Sequence, residues 1–169
     1  MKKMYGLKVE QLEWSVVKEE KHVPAKRVDI VSLRLVKEKS LMYKYRAIRS
    51  PEDAYQLFKQ FLGELDREYF VVMALDVKNQ PTAMNICHIG SFNASIVHPR
   101  EVLKTAILSN AASILVLHNH PSGVASPSQE DIDVTKRLAK ACDLMGIDLL
   151  NHLIVGDDSF ISLKEKGYM

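Results

Sequence analysis

Residues 113–131 read Ser113-Ile114-Leu115-Val116-Leu117-His118-Asn119-His120-Pro121-Ser122-Gly123-Val124-Ala125-Ser126-Pro127-Ser128-Gln129-Glu130-Asp131. Ser113 to His118 is a near-continuous apolar run, the pattern of a central strand buried on both faces. Pro121-Ser122-Gly123 is a turn signal. From Ser128 a helix is expected to run to Met145, with Ile132, Thr135, Leu138, Cys142 and Met145 on one side and Gly146 as its stop. Residues two apart on a strand share a face, so His118 and His120 present two imidazoles side by side while Asn119 points away. Asp131, one turn into the helix, can return to the strand end. Two imidazoles and a carboxylate leave a fourth tetrahedral position open, which is the pattern of a catalytic zinc site rather than a closed structural one.

The flanking sequence supplies the rest of an α/β layer. Ser50-Pro51-Glu52-Asp53 reads as a helix start, with Ser50 as cap, Pro51 at the first helical position and acids in the first turn. Ala54, Leu57, Phe58, Phe61 and Leu65 then recur at helical spacing. Tyr69 to Asp76 reads as a strand, Lys78-Asn79-Gln80-Pro81 as a turn, and Ala83 to Ile89 as a second strand. Ala94 to Val97 is a further candidate strand. Pro99 opens a helix with Val102, Leu103, Ala106, Ile107 and Ala111 on one face. Ile147 to Val155 and Phe160 to Leu163 read as strands around a Gly156-Asp157-Asp158 turn. Upstream, Val28 to Val36 is β-branched and alternating, with Leu41 to Ile48 as its expected partner. The fold class expected is α/β, a mixed β-sheet sandwiched by helices. The division expected is a basic N-terminal extension over residues 1–50, carrying one or two strands, and a domain over 51–169.

Apolar residues make up 47% of the 169, enough for a packed core. No apolar run approaches the roughly 20 residues that span a bilayer, and the N-terminus lacks the pattern of a secretory signal, so no membrane contact and a cytoplasmic location are expected. The two cysteines, Cys87 and Cys142, have no CxxC spacing and suggest neither a disulfide framework nor a thiolate zinc site. Cys142 falls on the apolar side of its helix, where packing is its expected role. Charge is uneven: residues 1–50 carry 13 Lys/Arg against 6 Asp/Glu, and residues 51–169 carry 10 against 15. A basic arm can touch nucleic acid, although Glu19, Glu20 and Glu38 interrupt it, as they would a solvated face.

The spacing H-x-H, seven residues, Ser, two residues, Asp resembles the JAMM motif of the MPN metalloprotease family. The longer string HNHPSGVASPSQEDIDVTKRL, with PREVLKTAILSNA before it and NHLIVGDDSFISLKEKGY after it, resembles the RadC branch of that family over about residues 50–169. No helix-hairpin-helix module is recognisable, so the chain resembles a short form of RadC. The resemblance implies an MPN/cytidine-deaminase-like fold. It implies Zn2+ held by His118, His120 and Asp131, Glu68 as general base ahead of the first core strand, and Ser128 as hydrogen-bond donor to the oxyanion. It also places Asn151 where the family usually has Asp, so that its carbonyl would orient a metal-bound histidine, with His152 a core residue or a support behind the site.

Each residue has a plainer reading. Ser128 and Asp131 form the S-x-x-D pattern of a helix cap, a role compatible with the site. Glu68 alone has no spacing signature, and either histidine alone would be an ordinary polar residue at a strand end. HExxH is absent, which excludes a thermolysin-like site. The expected activity is a zinc-dependent hydrolase acting on a peptide or isopeptide bond of a peptide or protein substrate. The alternative is a DNA-associated repair accessory using the basic arm, and a third class is a metal-free interaction module.

Overall fold

The computed structural model describes residues 26–63, 66–90 and 97–169. Helix α1 spans Pro51–Leu62, and its start follows from local chemistry. Asp53 N–H donates to Ser50 Oγ, and Ser50 N–H donates back to Asp53 Oδ2, which is a reciprocal capping box. Strands β1 (Tyr69–Leu75) and β2 (Pro81–Ile89) form a hairpin. Its turn is set by Asp76 Oδ1, which accepts from the Lys78 and Gln80 amides, and by Asn79 at φ 56°. Helix α2 (Pro99–Leu108), strand β3 (Ser113–Asn119), helix α3 (Gln129–Met145) and strands β4 (Asp148–Val155) and β5 (Phe160–Ser162) follow.

The five strands form one mixed sheet in the order β2-β1-β3-β4-β5. β1 is antiparallel to both β2 and β3, β3 and β4 are parallel, and β5 is antiparallel to β4. The parallel pair requires a crossover, and α3 supplies it. Alternation sorts the side chains into two cores. Val71, Met73, Leu75, Leu115, Leu117, Leu153 and Val155 face α1 through Ala54, Tyr55, Leu57 and Phe58. Phe70, Val72, Ile114 and Val116 face the other way, against Val102, Leu103 and Ala106 of α2 and Val134, Leu138 and Cys142 of α3. The sheet lies between helices, as the periodicity anticipated. β1 and β3 are buried on both faces, which is why their sequences read as apolar runs rather than as alternation.

The upstream strands expected over 28–36 and 41–48 do not form. Residues 26–50 contain no strand. Val28, Ile30 and Val31 are exposed, as are Leu33, Leu35 and Val36. β-propensity is realised only against a neighbouring strand, and the ladder runs from β2 to β5 without these residues. Leu41, Tyr43 and Ile48 are instead used as side chains, packed on the α1 core, and Ile48 N–H donates to the Asn79 carbonyl at 2.8 Å. The candidate strand Ala94 to Val97 lies outside the described residues except for Val97, which is buried.

Candidate metal centre

Three pieces of backbone converge at the end of β3. The strand carries His118 on the α3 side of the sheet and runs past Asn119 to His120, whose N–H donates to the Val155 carbonyl. The loop that follows is pressed onto the 156–157 turn. A Cβ on Gly156 would run into the Gly123 carbonyl, and Gly123 sits at φ +76° beside the Asp157 carboxylate. Both glycines are therefore needed for the close approach. The loop then enters α3, where Asp131 N–H donates to Ser128 Oγ at 3.1 Å while Ser128 N–H and Oγ–H both donate to Asp131 Oδ2 at 2.7 Å. The cap fixes the carboxylate, leaving its other oxygen turned toward the histidines.

His118 Nε2 lies 3.0 Å from His120 Nε2 and 3.1 Å from Asp131 Oδ1, and His120 Nε2 lies 3.6 Å from Asp131 Oδ2. Ligands about 2.0–2.2 Å from a tetrahedral centre stand about 3.3–3.6 Å apart, so these separations are close to those of a zinc coordination shell. Asp131 Oδ1 is buried and accepts no hydrogen bond. His120 Nδ1 lies 2.8 Å from the Val124 carbonyl, which can only accept, so the proton of neutral His120 is on Nδ1 and its Nε2 lone pair faces the cluster. A buried carboxylate oxygen without a donor, beside an imidazole lone pair, is a donor set that fits a cation.

Glu68 closes the group. It is buried, immediately before β1, with Oε1 4.0 Å from His118 Nε2, and its ligand atom lies within 4.8 Å of those of both histidines. Asn119, expected to point away from the imidazoles, clamps this acid in place. Its Oδ1 accepts from Tyr69 N–H and its Nδ2 donates to the Arg67 carbonyl, both at 2.8 Å, so it grips the backbone on either side of Glu68. An open depression of about 480 Å³, lined by Asp66, Arg67, Glu68, Gly90 and Pro121, lies beside the acid. A depression of similar size next to α1 is lined by Tyr43, Ile48 and Gln56 among others and holds no cluster of metal-ligating groups among the described residues.

Electrostatics follow from burial and pairing. Burial pushes His118 below the ordinary imidazole value, opposed by Asp131. The Asp131 carboxylate, 3.6 Å away, raises His120 against its own partial burial. Burial acts to raise the Asp131 pKa, but the two histidines and the Ser128 amide outweigh it and hold the carboxyl well below the usual carboxylate range. His152 is fully buried and held well below the ordinary value by burial and by His118. Cys142, on the packed face of α3, is pushed up to about 11 by burial, the environment of an inert packing thiol.

Asn151 does not touch a histidine ring. Its Oδ1 accepts from the His152 and Lys164 amides and from Ser162 Oγ–H, and its Nδ2 also faces Ser162 Oγ, so it ties β4 to β5 and the turn beyond. The expectation that its carbonyl orients a ligand is corrected: Asn151 and His152 occupy adjacent strand positions and point to opposite faces. The contact behind His118 comes from the neighbouring residue, with His152 Nε2 at 2.8 Å from His118 Nδ1.

The model of the RadC-like JAB domain matches residues 48–168. The chain belongs to the RadC-like JAB family. It is 57% identical over 122 residues to a UPF0758 protein of Geobacillus sp. (strain WCH70), covering 72% of this chain and 54% of the relative. It is 52% identical over 122 residues to the UPF0758 protein YsxA of Bacillus subtilis (strain 168), covering 72% and 53%. It is 48% identical over 124 residues to a UPF0758 protein of Methanosarcina mazei, covering 73% and 54%. The matched region of this RadC-like chain thus spans about half the length of those curated relatives. Among the described residues no helix is long and apolar enough to cross a membrane.

Proposed function

We propose that this RadC-like domain is a zinc-dependent hydrolase of amide bonds in a peptide or protein, with His118, His120 and Asp131 as the metal ligands. The observation that carries the reading is the convergence of two imidazole Nε2 atoms and the Asp131 carboxylate, with contacts of 3.0–3.6 Å and Oδ1 buried without a donor, next to Glu68 and an open depression. A zinc ion held there supplies a Lewis acid for the carbonyl and a water acidified to near neutrality.

The residues of the chain do the remainder. Glu68, held by the Asn119 clamp, takes the proton of the attacking water and passes it to the leaving nitrogen, for which a carboxylate near the metal is suited. The depression alongside admits the substrate backbone. Ser128 takes a different role in this reading. Its hydroxyl proton is committed to Asp131 Oδ2 and its oxygen to the Asp131 amide, so its standing task is to orient the metal-binding carboxylate. Donation to an oxyanion requires that hydroxyl to turn away from Oδ2.

The test is an unbiased peptide-cleavage screen with zinc-loaded wild type and Glu68→Gln. Wild type is expected to turn over a subset of peptides, and Glu68→Gln to keep its zinc while slowing cleavage by about 10²–10⁴-fold, the usual general-base contribution. Equal turnover by the two proteins would remove Glu68 from the reaction. Zinc-loaded protein that cleaves no peptide or isopeptide substrate would remove the hydrolase reading.

A further inference from the structure

Two strand-forming elements of this chain lack a neighbour at the same time. Residues 28–36 have the composition of a strand and form none. Their six large apolar side chains are all exposed, from 47% at Leu35 to 100% at Ile30. Among the described residues, no backbone amide or carbonyl of 28–36 enters a hydrogen bond. Strand β2 is the second element. The sheet order begins with it, so among the described residues its outer edge has no ladder partner. β2 is nine residues long, Pro81–Ile89, and carries no Lys, Arg, Asp or Glu. Open sheet edges are ordinarily blunted by charge, by proline or by shortness. The one proline here is at the first position, and the stretch Ala83–Ile86, between two irregularities in the pairing with β1, is regular.

The side chains of the two elements suit each other. β2 is half-covered on both faces, with Met84 and Ile86 against the α1 core and Cys87 against the α2–α3 core. A strand added outside β2 would extend both cores. Residues 28–36 have apolar groups for both, since Val31, Leu33 and Leu35 alternate to one side and Val28, Ile30 and Val36 to the other.

We propose that residues 28–36 are an exchange arm that adds as a sixth strand to the β2 edge of a second copy of this chain, reciprocally, in a two-fold symmetric dimer. An unrelated extended peptide on β2 would fill the edge and leave the arm exposed, whereas a second copy accounts for both. Reciprocal exchange uses the same two surfaces on each copy, so the assembly closes at two. Each copy contributes nine arm residues and nine β2 residues, close to the roughly 20–30 residues a side of a stable interface. β2 leads to the metal centre: Gly90 N–H, just past its end, donates to the Glu68 carbonyl at 2.9 Å, and Gly90 lines the depression beside that acid. The arm of the second copy thus runs along the edge that leads to that depression.

The test uses the full-length chain. Light scattering on a sizing column is expected to give the mass of two 19.2 kDa chains for wild type and of one for the double variant Val31→Asp, Leu33→Asp. Both side chains are exposed in the single chain, so the variant keeps its fold, which circular dichroism checks. Hydrogen exchange is expected to show the amides of 28–36 and the outward amides of β2 protected together in wild type and exchanging together in the variant. NMR on a mixture of isotope-labelled and unlabelled chains is expected to give cross-peaks between the arm of one copy and β2 of the other. A wild-type monomer overturns the proposal, whether its arm exchanges freely or is protected against its own β2. So does a dimer that survives the double substitution, or one whose arm is protected with no change at β2, as in arm-to-arm pairing.

Discussion

Asp131 has two duties, one per oxygen, and substitution can separate them. Oδ2 accepts from Ser128 N–H and Ser128 Oγ–H at the start of α3, whereas Oδ1 accepts nothing and faces His118 Nε2. In Asp131→Asn the side-chain carbonyl can take the place of Oδ2, so both capping bonds survive in neutral form. The loss is the charge assistance and the interaction with the helix dipole, offset by relief from burying a carboxylate, for a net change of about 1 kcal/mol or less in the metal-free state. Asp131→Ala removes the acceptor of both donors. The backbone bond from residue 131 to Ser128 Oγ survives, but the two Ser128 donors lose their acceptor at about 1 kcal/mol each, for about 2 kcal/mol in total. Both variants lose the anionic ligand. Wild type in zinc at about 1,000 times its Kd should gain about 4 kcal/mol over the chelated protein, and neither variant should gain a comparable amount. Urea unfolding with chelator and with saturating zinc measures all six states, with the slope m checking that the unfolded states are alike. The reasoning is refuted if Asp131→Asn shows the full zinc-dependent gain of wild type, or if Asn and Ala are equally destabilised in chelator.

Ser128→Ala should cost about 0.5–2 kcal/mol in chelator melts through the lost cap, and should weaken zinc binding because Oδ2 loses its Ser128 hydroxyl donor. Zinc affinity indistinguishable from wild type would show that the cap does not hold the carboxylate. Stability of the metal-free chain should fall as pH drops from 6.5 to 5, because burial lowers the His118 and His152 pKa values in the folded chain, so the unfolded chain binds more protons there. The unfolded chain takes up the extra protons there, so His152, held well below the ordinary value, contributes a slope approaching one proton, about 1.4 kcal/mol per pH unit, and His118 adds to it in the same direction. His120, raised by Asp131, acts oppositely but only above pH 6.5, and Asp131 contributes only at more acid pH. Chelator-treated unfolding free energies that stay flat across this range would contradict neutral burial of the two rings.

The parts of the fold legible in sequence are those decided by local chemistry. Ser50-Pro51 with Asp53 and Ser128 with Asp131 are caps written within four residues, and both helices start where those residues say. His118 and His120 share a site because strand spacing leaves them no alternative. What stayed hidden depends on distant partners. Val28 to Val36 has the composition of a strand, but pairing requires a neighbour that nothing in those residues specifies. The Asn119 clamp on Glu68 joins residues 50 and 52 apart, and the Thr135–His152 contact spans 17. The periodicity of β3 gives only the direction of Asn119, away from the imidazoles, and not what it meets there. A signal was present at Asn151–His152, two buried polar residues in an otherwise apolar strand, but sequence alone could not say which of them faces the site.

The central claim is a metal site with nitrogen and oxygen ligands at the junction of β3 and α3. X-ray absorption at the zinc edge, together with metal analysis of the purified chain, tests it most directly. The account predicts about one zinc per chain, ligated by two imidazoles and lighter oxygen donors, and lost in His118→Ala. A folded chain that takes up no zinc when it is supplied, or zinc with sulfur in its shell from Cys87 or Cys142, would contradict it.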